Sequence, residues 1–328
     1  MGNGYSRLVR FGIAAIICQF LIVACHSKGQ GDSSVQSASL APNLPKSKDS
    51  VTAPQRLYDG EIESNGRKRT YHFYLPPANL TKGPLPVIFA FHGWGGKGKD
   101  MMEMSQLNKV ANKQGVMVVY PDGVEGTWAD GRGYTPSDKA GVNDIAFIKA
   151  LLNKLSERQN IDRNRVYAVG FSNGGHFTQR VGCELADSFS GIAVVASDFP
   201  TKLANQCNPS RPLSVIVIHG SEDKMSPAAG ETQPGQEALS IDGTVQKWGS
   251  LNGCSASPTT TNLPNPINDG LNISRTLYSK CRGNSQVVFY NIQGGGHTWP
   301  GGDLPEKIFG KTARSLDATS TIHQFFLD

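Results

Sequence analysis

Four short segments carry side chains that would make one acyl-transfer site if the fold brought them together: FHGWGG at residues 91–96, GFSNGG at 170–175, HGSED at 219–223 and GGGHTWPGG at 294–302. The second offers a hydroxyl nucleophile, Ser172, flanked two residues away on each side by Gly170 and Gly174. A nucleophile held on a sharp strand-to-helix turn needs such small flanks, because side chains there would crowd it. The fourth segment offers His297 on a glycine-rich loop, a base near neutral pKa that can take the hydroxyl proton and return it to a leaving alcohol. The third offers Asp223, a carboxylate able to fix the imidazole tautomer and stabilise its cation. In the first, Gly93, Gly95 and Gly96 let the backbone approach a substrate closely. The N–H of Trp94, with that of Asn173 beside the serine, is the expected pair of oxyanion donors.

Each role has competitors. A GxSxG pattern alone is weak in a chain with 37 glycines, so its context decides: a β-rich run precedes Ser172 and a helical stretch, 173–181, follows it. His72, His92, His176, His219 and His323 are alternatives for the base, but of these candidates only His297 is both late in the chain and on a glycine-rich loop. Asp198, at the end of the preceding strand, and Glu222 stay open beside Asp223 as the acid. Trp94 and Trp299 read equally as substrate-binding platforms or as packing under loops, and Trp128 reads as packing. No metal-ligand spacing, phosphate loop or dinucleotide fingerprint occurs, so neither metal nor cofactor is expected.

These residues need a scaffold that presents loops from one edge. Residues 56–63 and 67–75 flank Asn65-Gly66, a strong hairpin signal. Beyond them, Val- and Ile-rich runs at 86–91, 116–120, 166–171, 192–196, 213–218 and 287–292 are too short for helices and read as buried parallel strands. Residues 144–158 place Ile145, Ile148, Leu151, Leu152 and Leu155 on one helical face, with Asn143 or Asp144 able to cap the start. The expectation is a doubly covered, mostly parallel sheet of about eight strands. All four motifs then fall just past strand ends, where such sheets carry their chemistry.

The N-terminal portion has a different character. Arg7 and Arg10 precede an uncharged apolar run at residues 11–24, shorter than the roughly 20 residues a membrane-spanning helix needs, and residues 1–24 read as an export signal. Its end, Leu21-Ile22-Val23-Ala24-Cys25, resembles the lipobox of bacterial lipoproteins, with Cys25 acylated; an ordinary secretory peptide is the alternative. Residues 26–55 hold seven serines, three prolines and no aromatic residue, and the span 25–55 reads as a flexible linker. Residues 56–328 are long enough for one large domain. The formal charge of +5 falls to +3 once Arg7 and Arg10 leave, and the cations are scattered, which excludes a nucleic-acid footprint. Four cysteines remain after Cys18 and Cys25: Cys183, Cys207, Cys254 and Cys281. An even number in an exported chain points to disulfides; three pairings are open, and sequence order favours Cys183–Cys207 with Cys254–Cys281.

Together, FHGWGG, WADGRG at 128–133, NDIAFI at 143–148, RVYAVGFSNGG at 165–175, HGSED, Asn252-Gly253-Cys254 and GGGHTWPGG resemble the extracellular polyhydroxybutyrate depolymerase-type esterases, relatives of the feruloyl and acetylxylan esterases of carbohydrate esterase family 1. The resemblance spans nearly all of residues 56–328. It implies an α/β-hydrolase fold and a serine carboxylesterase with the triad Ser172, Asp223 and His297, and it supports the same cysteine pairing. The expected ligand is a hydroxyalkanoate ester or an aryl or acetyl ester of plant cell-wall polysaccharide, taken by a monomer that meets a membrane only through its N-terminal anchor. One departure is Lys224-Met225, where relatives often carry small or branched apolar residues. A non-catalytic ligand-binding lipoprotein with the same fold is the rival reading, but it would be marked by loss of a triad member, and none is lost.

Overall fold

A computed structural model describes residues 56–327; the expected leader, the linker and Cys25 lie outside the described residues. The Asn65-Gly66 turn folds β1 (Leu57–Ser64) onto β2 (Arg67–Tyr74), with Ser64 paired to Arg67 across a two-residue loop. Both turn residues have positive φ, 51° and 68°, as a tight primed turn requires.

The six apolar runs each form a strand: β3 (Leu85–Phe91), β4 (Met117–Pro121), β5 (Ile161–Phe171), β6 (Gly191–Val195), β7 (Ser214–Gly220) and, after β8 (Thr259–Asn262) and β9 (Asn272–Tyr278), β10 (Val287–Gln293). The sheet order is β1-β2-β4-β3-β5-β6-β7-β10-β9-β8. From β4 to β10 every pairing is parallel, and the antiparallel pairs β1-β2 and β9-β8 close the two sides. Ten strands thus stand where about eight were expected. The two extra are β8 and β9: every residue of β8 is exposed and β9 is mostly half-buried, so neither carries the continuous apolar run of a strand buried on both faces.

Alternation along β3 shows why those runs are continuous. Val87, Phe89 and Phe91 enter one core while Ile88 and Ala90 enter the other. The first core is covered by α4 (Asp144–Ser156), α5 (Asn173–Glu184), α6 (Thr201–Gln206) and α7 (Ile241–Asn252), and the second by α1 (Gly98–Ser105), α2 (Leu107–Gln114) and α9 (Ala318–Leu327). The short α3 (Pro136–Lys139) and α8 (Glu306–Phe309) lie in loops beyond strand ends. Asn143, not Asp144, caps α4 by accepting from the Ala146 N–H at 2.9 Å. Asp144 is buried instead, taking Arg69 at 2.7 Å and the Ala129 N–H at 2.8 Å. Cys183 on α5 is bonded to Cys207 just after α6, and Cys254 after α7 to Cys281 after β9. Each closes a loop of about 25 residues, worth roughly 3 kcal/mol if the unfolded chain loses the corresponding entropy.

Candidate active site

Ser172 stands between β5 and α5 with φ 55° and ψ −123°, a conformation that costs a non-glycine residue roughly 1–3 kcal/mol. The flanking glycines are what the turn permits. A Cβ on Gly170 would lie 2.0 Å from the Gly174 carbonyl oxygen, and one on Gly174 would lie 2.2 Å from that of Phe91. The end of β3 is therefore pressed against the start of α5, which brings the FHGWGG loop beside the serine. The Ser172 N–H is tied to the Val195 carbonyl at 3.0 Å, locking the turn to β6.

The structure brings His297 and Asp223 together across 74 residues: His297 Nδ1–H donates to Asp223 Oδ2 at 2.7 Å, with the two side chains 4% and 0% exposed. A carboxylate only accepts, so this contact fixes the tautomer and leaves Nε2 with its lone pair. The imidazole packs 5.0 Å from the ring of Phe171, the residue before the serine, and its backbone N–H donates to the Phe309 carbonyl. Asp223 Oδ1 accepts from the backbone N–H groups of Met225 and Ser226, each at 2.8 Å. Asp198, the rival acid, is spent elsewhere: its Oδ1 accepts from His176 Nε2–H at 2.7 Å and its Oδ2 from Ser226 Oγ–H at 3.1 Å. Glu222 is exposed.

The FHGWGG loop is held by His92, which sequence reasoning weighed only as a base. His92 Nδ1–H donates to the Gly93 carbonyl at 2.8 Å, its Nε2 accepts from the Gly123 N–H at 2.9 Å, and its own carbonyl accepts the Trp128 indole N–H at 3.1 Å. The Gly96 N–H adds a second bond to the Gly93 oxygen at 3.1 Å. A trans peptide is planar, with its C=O and N–H opposed, so pinning the Gly93 oxygen aims the Trp94 N–H the other way. The N–H of Asn173 opens α5 and is one of the donors that a helix start leaves unpaired. Among the described residues neither N–H has a protein acceptor. The Asn173 side chain fixes that helix start: its Oδ1 accepts from the Trp128 N–H at 2.9 Å and its Nδ2 donates to Asp130 Oδ2 at 2.7 Å. Asp130 is in turn bridged to Arg132. The WADGRG segment is thus a brace behind the serine.

Ser172 and His297 line one pocket of about 290 Å³, with Gly93, Trp94, Met225 and Phe309 among its walls. Trp94 is 49% exposed and lies 5.6 Å from the ring of Tyr134. Trp299 does not belong to this wall. It is 1% exposed and its indole N–H donates to Thr319 Oγ1 on α9 at 3.1 Å, so the platform role expected of it is corrected to packing. Past Trp299 the chain turns, with the Gly302 N–H on the Trp299 carbonyl and the Ala318 N–H on that of Pro300, and no local signal in the motif marks which way the indole faces. Trp128 packs as expected, fully buried and stacked 5.0 Å from Phe177.

Burial pushes the pKa of both His92 and His219 down, against smaller opposing effects of nearby carboxylates and hydrogen bonds. Their unfolded-state value is about 6.5, so below that pH the unfolded chain binds more protons than the folded one and stability falls with falling pH. For Asp198, burial acts upward, but the contact with His176, together with the hydrogen bond from Ser226 and lesser nearby charge, outweighs it, and its pKa is lowered. That contribution is present above the unfolded carboxylate value of about 3.9 and is lost below it. Melting temperature is therefore expected to drop in two stages on acidification, one beginning near pH 6.5 and another below about pH 4. A flat melting curve between pH 7.5 and 5 would show that the histidines are not held neutral.

The family profile described as "Esterase PHB depolymerase" matches residues 69–198, which include Trp94, Ser172 and Asn173 but not Asp223 or His297. "Putative esterase NocK" of Nocardia uniformis subsp. tsuyamanensis is 30% identical over 282 residues, covering 81% of both chains. "Feruloyl esterase B" of Piromyces equi is 27% identical over 65% of this chain, which spans 39% of that protein's length. "Bifunctional acetylxylan esterase/xylanase XynS20E" of Neocallimastix patriciarum is 25% identical over 74% of this chain, which spans 32% of it. Among solved structures, the acetyl xylan esterase from Aspergillus awamori superposes with a TM-score of 0.54 at 15% identity, covering 74% of this chain and 94% of that one; the likeness shows an α/β-hydrolase fold.

Proposed function

This chain belongs to the PHB depolymerase family of esterases and is a carboxylic ester hydrolase; we propose that it works through an acyl-enzyme on Ser172. The observation that carries the reading is the buried 2.7 Å bond between Asp223 and His297, opening into the pocket that also holds the strained serine. Ser172 Oγ attacks the ester carbonyl and His297 Nε2 takes its proton. The developing oxyanion is met by the N–H groups of Trp94 and Asn173, donors of a kind worth roughly 3–4 kcal/mol each to a transition state. His297 then protonates the departing alcohol, and a water it deprotonates releases the acid from Ser172. Every step is a proton shuttle or an acyl transfer, and none of them calls on a cofactor.

The substrate reading is a hydroxyalkanoate ester, in line with the family, with a feruloyl or acetyl ester of cell-wall polysaccharide as the second reading. The exposed Trp94–Tyr134 pair favours the second, since two half-open aromatic rings beside a nucleophile offer a face to a planar acyl group or a sugar. The two disulfides support an extracellular setting. Residues 1–24 as export signal, 25–55 as linker and Cys25 as the acylated residue complete the proposal. Purified protein lacking residues 1–25 should hydrolyse p-nitrophenyl acetate and butyrate, and the preference among methyl ferulate, acetylated xylan and hydroxybutyrate oligomers identifies the natural ester. No turnover on any of these would overturn the reading. In the full chain, Cys25→Ser should remove the protein from the membrane fraction, and an unchanged distribution would leave a plain secretory signal.

A further inference from the structure

Behind the base and acid lies a second His–Asp pair. His176 and Asp198 are 5% and 2% exposed. His176 sits one helical turn beyond Ser172 on α5, its backbone N–H bonded to the Ser172 carbonyl at 3.0 Å. One turn further on the same helix, Gln179 Nε2 donates to the backbone carbonyl of Asp198 at 3.3 Å, so α5 grips this residue by both its carboxylate and its main chain. The other carboxylate oxygen of Asp198 faces the acid loop and takes the Ser226 hydroxyl at 3.1 Å. Ser226 is 3% exposed, and its own N–H is one of the two that hold Asp223. A single residue therefore touches both buried carboxylates, Asp223 with its backbone and Asp198 with its side chain.

We infer that Ser226, Asp198 and His176 are positioning residues that fix the Asp223 loop relative to the helix carrying Ser172, and so hold Asp223 on His297. The inference rests on the Ser172–His297–Asp223 reading. The need for such a tie is visible in the loop itself. At its start the Glu222 N–H is bonded to the Gly295 carbonyl at 2.9 Å, but Lys224 and Met225 are exposed, Met225 at the pocket wall, and the bonds to Asp223 Oδ1 are internal to the loop. Ser226 Oγ is the inward tie at the loop's return. The placement is exacting, because Asp223 Oδ2 must stay 2.7 Å from His297 Nδ1–H, while His219 Nε2, 3.6 Å away, turns a lone pair to the carboxylate since its Nδ1–H donates to the Gly220 carbonyl, and so offers no substitute bond. A shift of the carboxylate by about 1 Å would break its bond to His297 with no other imidazole donor to take it up, and misplacement on that scale can cost about 100-fold in rate. The arrangement also explains why two carboxylates at adjacent strand ends do different work: one orients the base and the other anchors the loop that carries the first.

The test uses the purified hydrolase, p-nitrophenyl butyrate and a set of small changes. Ser226→Ala removes one oxygen atom and leaves the backbone donor; it is expected to lower kcat by about 10- to 100-fold with KM within about threefold of wild type. Ser226→Thr, which keeps the hydroxyl, should recover most of the loss. Asp198→Ala should match or exceed Ser226→Ala, while Asp198→Asn, whose carbonyl still accepts from Ser226, should cost only a few-fold, and His176→Gln should behave likewise. In proton NMR, the low-field resonance of the His297 Nδ1–H should be present in wild type and weakened or shifted in Ser226→Ala. Wild-type kcat in Ser226→Ala, or a loss of kcat with that resonance unmoved, would overturn the inference. Asp223→Asn run in parallel separates the two claims: a large loss there with an active Ser226→Ala rejects the positioning role alone, whereas an active Asp223→Asn rejects the triad itself.

Discussion

Ser172→Ala is expected to abolish ester hydrolysis, with a fall in kcat on the order of 10⁶, as in serine hydrolases whose nucleophile is removed. The magnitude follows from the proposed mechanism. Without the hydroxyl there is no acyl-enzyme, and what remains is the stabilisation that the Trp94 and Asn173 N–H groups give to direct attack by water. The fold should not notice. Ser172 is only partly buried, and its strained φ of 55° is imposed by the β5–α5 turn, so alanine inherits the same backbone cost. Steady-state kinetics on p-nitrophenyl butyrate and a thermal melt check both halves. Residual activity above a few per cent in a well-folded variant would place the nucleophile elsewhere.

The second large effect separates the two candidate acids. Asp223→Asn keeps the shape of the side chain but presents an amide to His297, which then holds the wrong tautomer; the same change in a serine protease lowers turnover about 10⁴-fold. A loss of about 10²- to 10⁴-fold is expected here, with melting temperature changed little because the loop bonds from Met225 and Ser226 can still reach the amide oxygen. Asp198→Asn should cost at most a few-fold, since neither Asp198 oxygen bonds His297. The reverse ranking would show that the acid has been assigned to the wrong strand end.

Much of this site was legible from residue types and spacing. A serine between glycines two positions away, with a β run before it and a helix after it, reads as a tight nucleophile turn, and the near-contacts built at Gly170 and Gly174 are the steric reason in atoms. Alternation of buried Val and Ile runs with a clear amphipathic helix specified a doubly covered parallel sheet, because only strands buried on both faces are apolar throughout. Where burial on one face was missing the pattern failed. The four exposed residues of β8 and the half-buried β9 left no run to read, and the sheet has ten strands instead of about eight.

The sequence by itself determined which residue types were available, their order along the chain, the position of the tight turns and the number of cysteines left to pair. Which carboxylate meets His297 was decided only in three dimensions, because Asp198 and Asp223 both end parallel strands and nothing local distinguishes them; His176, one turn along α5, claims the first and leaves the second. Tertiary structure likewise made His92 a clamp rather than a base, and turned Trp299 inward against α9 while Trp94 stayed in the open. The deciding partners, His176 for Asp198, Gly123 for His92 and Thr319 for Trp299, are not neighbours in sequence, and contact between separate segments is set by how the sheet and its helices pack, which local spacing does not encode.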